Sequence, residues 1–309
     1  NHIVPIAGAL EYPEKDLPLP PYVTGAWLGD GTSVRPEMTV GDDGLYIIEE
    51  FAKDGYELTK TAKGQYRYTF ARQGARELLR EASLMANKHI PEAYFTASIG
   101  QRRELLRGLM DTDGFVGGFA GVGSVCGIDL ASQALANDVV RLIRSLGTRA
   151  SINKAVATTS GRVVGWRYRI VFNPIDSPFT PGEYKDVKFH QRTQAQGSRR
   201  TMRTVVGVAP CESEPTMCIR VDSPRNLYLA TEHLIPTHNS FQAAIAAAWW
   251  VDTHPINQVY VATTAPTHDQ ITEIIFRELK RIHAISAERV ERGIIPASAG
   301  LQGRITEEN

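Results

Sequence analysis

An internal repeat constrains the fold more than any other feature of this sequence. Residues 22–31 (YVTGAWLGDG) and 105–114 (LLRGLMDTDG) share an apolar run with an internal glycine and an Asp-Gly ending. Each run is followed by a helix-like segment that ends in glycine and then by two strand-like segments. Such self-similarity indicates two copies of one α/β unit that pack together.

Local signals predict that both runs are helices. Pro21 suits the first position of a helix, because the N–H that it lacks would have no partner there. Ser98 and Gln101 have the spacing of a capping box ahead of the second run. We therefore expect two motif helices, each of which ends at its Asp-Gly pair.

The glycines and aspartates of these helices predict a paired site. Gly25 and Gly29 lie four positions apart on one helical face, and Gly108 has the matching place in the second run. Glycine allows two backbones to approach closely, which would bring Asp30 and Asp113 side by side. Two adjacent carboxylates repel each other unless a cation lies between them. Mg²⁺ prefers such oxygen ligands, and two metal ions that flank a phosphodiester support in-line hydrolysis.

A single Asp-Gly pair would be explained by helix termination alone, but two copies 83 residues apart within a repeat favour a functional site. The second motif, LRGLMDTDG (106–114), is similar to the signature of the LAGLIDADG homing endonucleases. The first, VTGAWLGDG (23–31), resembles the looser form called DOD-type. The resemblance spans residues 21–175 and implies a monomer of two αββαββ halves. It also implies a saddle of strands that lies in the major groove of double-stranded DNA.

The same resemblance assigns site residues. Asp30 and Asp113 match the acids that bind the metal ion, which we expect to be Mg²⁺. The segment NKHIPEAY (87–94) resembles the block before the second motif and suggests Lys88 as a basic residue near the cleavage centre. Lys154 has a comparable place in the second half by a weaker match. A DNA-binding module without catalysis is the alternative for this part of the chain.

Two strand-like segments carry arginines that are candidates for DNA contacts. Arg67 lies in QYRYTF, and Arg167 and Arg169 share one face of WRYRIVF. Arginine on a solvated sheet face suits guanine edges or phosphates. Ordinary exposed strand residues are the equally good alternative for each of them.

The tripeptide His238–Asn239–Ser240 contains the parts of a break-and-rejoin reaction. The Asn239 side-chain amide can attack its own backbone carbonyl, and a neighbouring histidine can supply the proton transfer that this step needs. The Ser240 hydroxyl can serve as the acyl acceptor. The segment MCIRVDSPRNLYLATEHLIPTHN (217–239) resembles the C-terminal splicing blocks of inteins. That resemblance implies protein splicing with Asn239 cyclising, His238 assisting and Ser240 as the first host residue.

Cys218 and Thr237 resemble the pattern of class 3 inteins, in which this cysteine makes the first attack on the upstream junction. A buried small apolar cysteine is the alternative explanation for Cys218. The downstream block usually carries a second histidine, and this sequence has Asn226 there, unless His233 substitutes for it.

Residues 240–309 have the character of another protein. Ser240 opens an Ala-rich helix that is followed by an apolar strand, as after a phosphate-binding loop, so Ser240 would later bind Mg²⁺ with ATP in the joined host. The segment QVYVATTAPTHDQITEIIFREL resembles a phage terminase large subunit. A helicase-type P-loop ATPase is the competing host, and an unrelated α/β domain is the third alternative.

The combined prediction is a multidomain chain. An α/β endonuclease (21–175) is inserted in an all-β splicing domain of the Hint type, for which residues 1–20 are a linker and residues 176–239 the C-terminal part. A truncated α/β P-loop ATPase segment follows at 240–309. We expect the chain to be a fragment whose splicing partner is its own upstream intein and host segment.

Composition sets the remaining expectations. The 34 basic and 34 acidic residues balance, so net charge gives no global argument for nucleic acid. No apolar run approaches the roughly 20 residues of a membrane span, and no membrane partner is expected. Three cysteines without zinc spacing and without a secretory signal favour reduced thiols. We therefore predict the cytoplasm of a phage-infected or prophage-bearing bacterial cell.

Overall fold

A computed structural model describes residues 3–62, 64–70, 74–117, 125–192, 202–207, 209, 212, 221–222, 227–237, 247–250 and 277–292. The chain divides into two compact units. The first comprises Asn1–Val208 with Thr231–Ile235, and the second comprises Ala209–Ala230 with Pro236–Asn309.

The described part of the first unit is mixed α/β. Its helices are α1 (Pro21–Asp30), α2 (Tyr46–Lys53), α3 (Ala75–Glu81), α4 (Glu92–Phe95), α5 (Ile99–Asp113), α6 (Gln133–Ser145) and α7 (Tyr184–Arg192). Its strands are β1 (Ile3–Pro5), β2 (Glu37–Thr39), β3 (Thr59–Lys60), β4 (Arg67–Thr69), β5 (Gly114–Gly117), β6 (Val125–Leu130), β7 (Ala150–Thr159), β8 (Arg162–Phe172) and β9 (Met202–Thr204).

The helix starts follow the signals in the sequence. Pro21 is the first residue of α1. Ser98 caps α5 with a complete capping box, in which the Gln101 N–H donates to Ser98 Oγ (3.3 Å) and the Ser98 N–H donates to Gln101 Oε1 (3.1 Å). Ser132 caps α6 in the same way, because its Oγ accepts from the Leu135 N–H (3.3 Å). Both predicted motif helices therefore begin and end where the sequence indicates.

Two antiparallel sheets follow the two motif helices. The first has the strand order β2-β4-β3 and the second the order β5-β6-β8-β7. In the first sheet, an isolated β-bridge between Gly31 and Met38 takes the place that strand β5 has in the second sheet. Gly31 bridges to Met38, which pairs with Tyr68, and Gly114 pairs with Ile128, which pairs with Ile170, so the residue after each motif helix enters its sheet in the same way. The repeat predicted from the sequence did not contain strands β2, β5 and β6. The resemblance to the LAGLIDADG endonucleases, in contrast, implied two strands after each motif helix.

Helices α1 and α5 pack backbone against backbone. A Cβ atom at Gly25 would overlap the carbonyl of Leu105, and one at Gly108 would overlap the carbonyl of Tyr22. Glycine is needed at both positions, because any side chain would force the helices apart. The flanking faces bury large apolar side chains, among them Trp27, Leu28, Leu105, Leu109 and Met110. The close approach predicted from the small residues is therefore present.

The core extends beyond the predicted borders of the endonuclease. Phe179 and Phe189 are buried in the same core as the motif helices, although the sequence analysis ended the domain at residue 175. Helix α7 lies in a stretch that was predicted to be β-like and basic. On the other side, Leu19 is buried and the Arg102 guanidinium donates to the Leu10 carbonyl, so the predicted linker 1–20 contributes Leu10 and Leu19 to the packing of the first unit.

The described residues of the second unit are few. Strands β10 (Tyr228–Ala230) and β11 (Ile235–Thr237) flank the short segment that belongs to the first unit. Residues 247–250 are helical, within the predicted Ala-rich helix, and helix α8 spans Arg277–Glu291. The predicted host strand QVYVATTAP lies outside the described residues. Within the part of the chain that the structure describes, no helix is long and apolar enough to cross a membrane.

Candidate active site

Asp30 and Asp113 lie at the adjacent ends of α1 and α5. A Cβ atom built on Gly29 would be 3.5 Å from Asp113 Oδ2, which places this carboxylate against the last turn of α1. Burial, followed by the charge of Asp30, raises the pKa of Asp113 to about 6. Burial also raises the pKa of Asp30. The predicted carboxylate pair is thus assembled, and its two members destabilise each other's charge.

Lys88 lies beside this pair, as the sequence suggested. Its Nζ donates hydrogen bonds to the carbonyls of Leu28 (3.0 Å) and Gly29 (2.9 Å), which are free at the end of α1. Burial lowers the pKa of Lys88, and the charges of Asp113 and Asp30 oppose that shift. One ammonium group therefore caps the first motif helix and faces both carboxylates.

Lys185 is the counterpart of Lys88 in the second half. Its Nζ donates to the carbonyls of Met110 (3.1 Å), Asp111 (2.7 Å) and Thr112 (3.0 Å) at the end of α5. Burial lowers its pKa, against the charges of Asp111, Asp30 and Asp113.

Lys154, the counterpart suggested by the weaker sequence match, lies elsewhere. It is on β7, with its Nζ 4.1 Å from the centroid of the Trp166 ring. A sequence signal for Lys185 was present in α7. The buried Phe189 follows it by four residues, and positions four apart share one helical face.

The donor set of the site fits a hard divalent cation. Two carboxylates meet at two helix C-termini, where the aligned peptide dipoles add partial negative charge. A cation between the carboxylates would relieve the repulsion from Asp30 that, after burial, raises the pKa of Asp113. No cluster of three or more His, Cys, Asp or Glu side chains occurs among the described residues. Mg²⁺ is compatible with two carboxylates, because it retains waters and binds substrate phosphates for its other positions.

Asp111 is a buried site-associated residue that the sequence analysis did not single out. Its carboxylate accepts from the Tyr22 hydroxyl (3.0 Å), the Thr180 N–H (3.0 Å) and the Thr180 hydroxyl (2.5 Å). Burial raises its pKa, while the hydrogen bonds from Thr180 oppose the shift. Leu28 has the equivalent place in the first motif, two residues before Asp30. Asp111 therefore fixes the segment that leads into α7 and Lys185.

Of the three predicted DNA-contacting arginines, Arg67 is exposed and Arg167 and Arg169 are half-buried, and all three lie next to carboxylates. Arg67 Nη1 is 3.9 Å from Glu37 Oε2, and Arg167 Nη1 is 3.6 Å from Asp129 Oδ2. Arg169 makes a two-pronged contact with Asp129, at 2.8 and 2.6 Å. The charge of Asp129 also contributes to the raised pKa of Asp113, so this arginine group lies within electrostatic range of the carboxylate pair.

The predicted splicing residues fall largely outside the described part of the chain. Cys218, His238, Asn239 and Ser240 are among the residues that the structure does not describe. Thr237 is described: it ends β11 and is buried. Their predicted chemistry therefore stays a prediction from the sequence.

Comparison with protein families concerns the second half of the endonuclease-like part. Residues 100–173, which run from α5 to the end of β8, match the family described as LAGLIDADG-like domain. The match contains Asp113 and the second sheet. The mixed α/β unit therefore has a LAGLIDADG endonuclease-like fold.

One curated relative and two solved structures are informative as resemblances. The replicative DNA helicase DnaB of Mycobacterium intracellulare is 35% identical over 240 residues, which is 78% of this chain, and the chain spans 38% of the length of that relative. A crystal structure of I-DmoI in complex with DNA and Mn matches 58% of this chain and 98% of its own at 14% identity, with a TM-score of 0.34. Mesophilic variants of the homing endonuclease I-DmoI match 58% of this chain and 97% of theirs at 13% identity, with a TM-score of 0.31.

Proposed function

We propose that the first unit is a LAGLIDADG homing endonuclease that cleaves double-stranded DNA with Mg²⁺. The observation that carries this proposal is the pair Asp30 and Asp113 at the touching ends of α1 and α5. Burial, followed by the charge of Asp30, raises the pKa of Asp113 to about 6, so at neutral pH this carboxylate is ionised at an electrostatic cost that a bound cation would offset. The LAGLIDADG-like match over residues 100–173 supports the same function.

The residues of the chain have separate tasks in this proposal. Asp30 and Asp113 would hold the metal ion. A bound Mg²⁺ supplies Lewis-acid polarisation of the phosphodiester and a more acidic bound water. Lys88 and Lys185 keep positive charge beside the carboxylates and near an incoming phosphate. Arg67, Arg167 and Arg169 lie on exposed strands, where they can exchange their carboxylate partners for DNA phosphates or base edges.

The test uses a plasmid that carries the host coding sequence without the insertion. With Mg²⁺, the wild-type chain should make a double-strand break, and Asp30→Asn and Asp113→Asn should each reduce the rate by at least about 10³-fold. Asp176→Asn is the matched control, because this carboxylate is 72% exposed and lies outside the site. Undiminished cutting by either site variant would refute the metal-site assignment. DNA binding without Mg²⁺-dependent breaks would favour the non-catalytic DNA-binding module.

We also propose that the endonuclease is part of an intein. The match to the helicase-named relative covers 240 of the 309 residues of this chain, far more than the LAGLIDADG-like segment at residues 100–173. A single stretch of that length in this chain includes residues 70–240, and so both the LAGLIDADG-like segment and the stretch that ends at His238–Asn239–Ser240. An endonuclease-like segment inside a helicase chain is what an inserted intein predicts.

The proposed splicing chemistry balances within the full-length precursor. The Ser240 hydroxyl attacks the acyl carbon of the upstream host segment, the bond from that carbon to the intein group that carries it breaks, the hydroxyl proton goes to that leaving group, and the host segment becomes an ester on Ser240 Oγ. The Asn239 side-chain nitrogen then attacks its own backbone carbonyl carbon, the bond to the Ser240 nitrogen breaks, and a succinimide remains on the released intein. The freed Ser240 amine finally takes the acyl group from its own oxygen. His238 supplies the proton that the departing Ser240 nitrogen needs.

The relative bears on the choice of host. A helicase-type P-loop ATPase, the alternative in the sequence analysis, fits the DnaB match better than a terminase does. The terminase host rests on the pattern of residues 240–309 alone. In either host, Ser240 would act as the Mg²⁺ ligand of an ATP site after splicing. A Gly-rich segment ending in Gly-Lys just before the intein would support this role, and its absence would remove it.

Splicing is tested in the full-length precursor by mass spectrometry. Asn239→Ala should abolish release of the segment that begins with Ser240, while Asn137→Ala, at an exposed position of α6, is the control. If the class 3 mechanism holds, Cys218→Ala should block cleavage at the upstream junction. If Cys218 is only a packing residue, this cleavage should be unchanged in the variant. Unchanged release of the host segment from the Asn239 variant would refute self-processing.

A further inference from the structure

A small cavity of about 10 Å³ lies where the turn after α6 meets β9 and the segment 231–235. It belongs to the first unit and is remote in sequence from the motif helices. Its lining residues are Ile6, Ala7, Arg144, Gly147, Thr148, Arg149, Arg203, His233 and Leu234. A volume of this size holds about one water-sized particle.

Three polar atoms on residues that line this cavity are buried without a hydrogen-bond partner in the described part of the chain. They are Arg144 Nε, Arg203 Nε and His233 Nδ1. The Arg144 side chain is only 9% exposed. Buried N–H groups without a partner are costly and call for an acceptor that the described residues do not supply. Three such atoms around one cavity point to a single shared acceptor.

The charges around the cavity do not balance. Three guanidinium groups converge there, from Arg144, Arg149 and Arg203. The carboxylate within ion-pair distance is Glu232, 3.5 Å from Arg144 Nη1, and it is 77% exposed. Within the described ranges, neither Arg149 nor Arg203 has a carboxylate at ion-pair distance. Burial, followed by the nearby Arg149 and Arg144, lowers the pKa of Arg203, which reflects the same excess of positive charge.

We propose that this cavity binds one chloride ion, held by the Nε–H groups of Arg144 and Arg203 and by the Nδ1–H of His233. A single water molecule could accept only two of these three hydrogen bonds and would leave the excess positive charge uncompensated, whereas a chloride ion can accept all three and compensates the charge. The His233 Nε2 then faces Glu232, at 3.6 Å.

The bound anion would join three parts of the chain that are distant in sequence. Arg144 comes from the last turn of α6, Arg203 from β9 and His233 from the segment before β11. The ion therefore acts as a clamp between the endonuclease core and the two chain segments that leave it and return to it.

The test measures the melting temperature of the full chain by tryptophan fluorescence while chloride replaces glutamate at constant ionic strength. Glutamate is too large for the cavity. At ten times the dissociation constant of chloride, we expect a rise of about 3–6 °C, which continues to grow with the logarithm of the chloride concentration. Arg203→Met should lose this rise. Arg203→Lys keeps the positive charge but has no Nε–H donor, so it should reduce the chloride-dependent rise in melting temperature. This variant provides the test if Arg203→Met does not fold.

Arg162→Met, at the exposed start of β8, is the matched control and should keep the full chloride effect. In crystals grown with bromide, an anomalous peak should lie between Arg144, Arg203 and His233. An equal chloride response in all variants, or ordinary water without an anomalous signal in the cavity, would overturn the proposal. None of these measurements uses DNA cleavage or splicing, so failure here is distinct from failure of the proposed function.

Discussion

Replacing Asp113 by Asn should stabilise the chain at neutral pH, because the folded state resists charging this carboxylate. Its pKa is raised from 3.8 to about 6. Each pKa unit corresponds to about 1.4 kcal/mol, so the shift is worth about 3 kcal/mol. The carboxylate keeps some contact with water, which reduces our expectation to about 2 kcal/mol. Since the folded-state pKa lies above the unfolded value, the cost is absent below about pH 4 and complete above about pH 6.

The assay is urea unfolding of the wild-type chain and Asp113→Asn at several pH values. The stability difference should grow from near zero at pH 4 to about 2 kcal/mol at pH 7. Adding Mg²⁺ at pH 7 should stabilise the wild type but not the variant, because only the wild type keeps both carboxylates. Asp176→Asn should show neither effect. A difference that stays constant from pH 4 to pH 7, or an Asn variant that is less stable at pH 7, would refute the reasoning.

Two further substitutions test the helix contact and the second lysine. Gly108→Ala should destabilise the fold by about 3 kcal/mol or more, because the added Cβ would overlap the carbonyl of Tyr22. Gly100→Ala in the same helix is the control and should be neutral. Urea unfolding measures the stability of both variants. A neutral Gly108→Ala would contradict the backbone contact. Lys185→Met should lower the rate of plasmid cutting more than Lys188→Met does, because only Lys185 contacts the end of α5, and equal rates would remove Lys185 from the site.

The sequence predicted those parts of the site that depend on residues close together in the chain. Pro21 and the Ser98–Gln101 box placed the starts of the two motif helices, because capping depends on residues within one turn. The matching positions of Gly25 and Gly108 predicted the contact between α1 and α5, because two copies of one unit present the same packing face. The adjacency of Asp30 and Asp113 then followed from the geometry of two paired helices.

Parts that depend on long-range contacts were missed or misplaced. Lys185 donates to the carbonyl of Asp111 on α5, and the two residues are 74 positions apart in the sequence. The residues around Lys185 give no local signal for this contact. Thr180 binds Asp111 across a similar separation. Their segment was assigned to the C-terminal part of an all-β splicing domain (176–239). Phe179 and Phe189 instead pack into the core of the first unit, together with the motif helices.

The two halves of the site reach the same charge arrangement by different routes. Lys88 arrives on the segment before α4, where the Ile90 N–H donates to Asp138 Oδ2 (2.9 Å) on α6. Lys185 arrives on α7, after a segment whose Thr180 N–H donates to Asp111 Oδ1 (3.0 Å) on α5. In each half, a carboxylate from a neighbouring helix therefore anchors the segment that delivers the lysine. This explains why Asp111 has no acidic counterpart at Leu28, since Asp138 performs the anchoring for the first half from another helix.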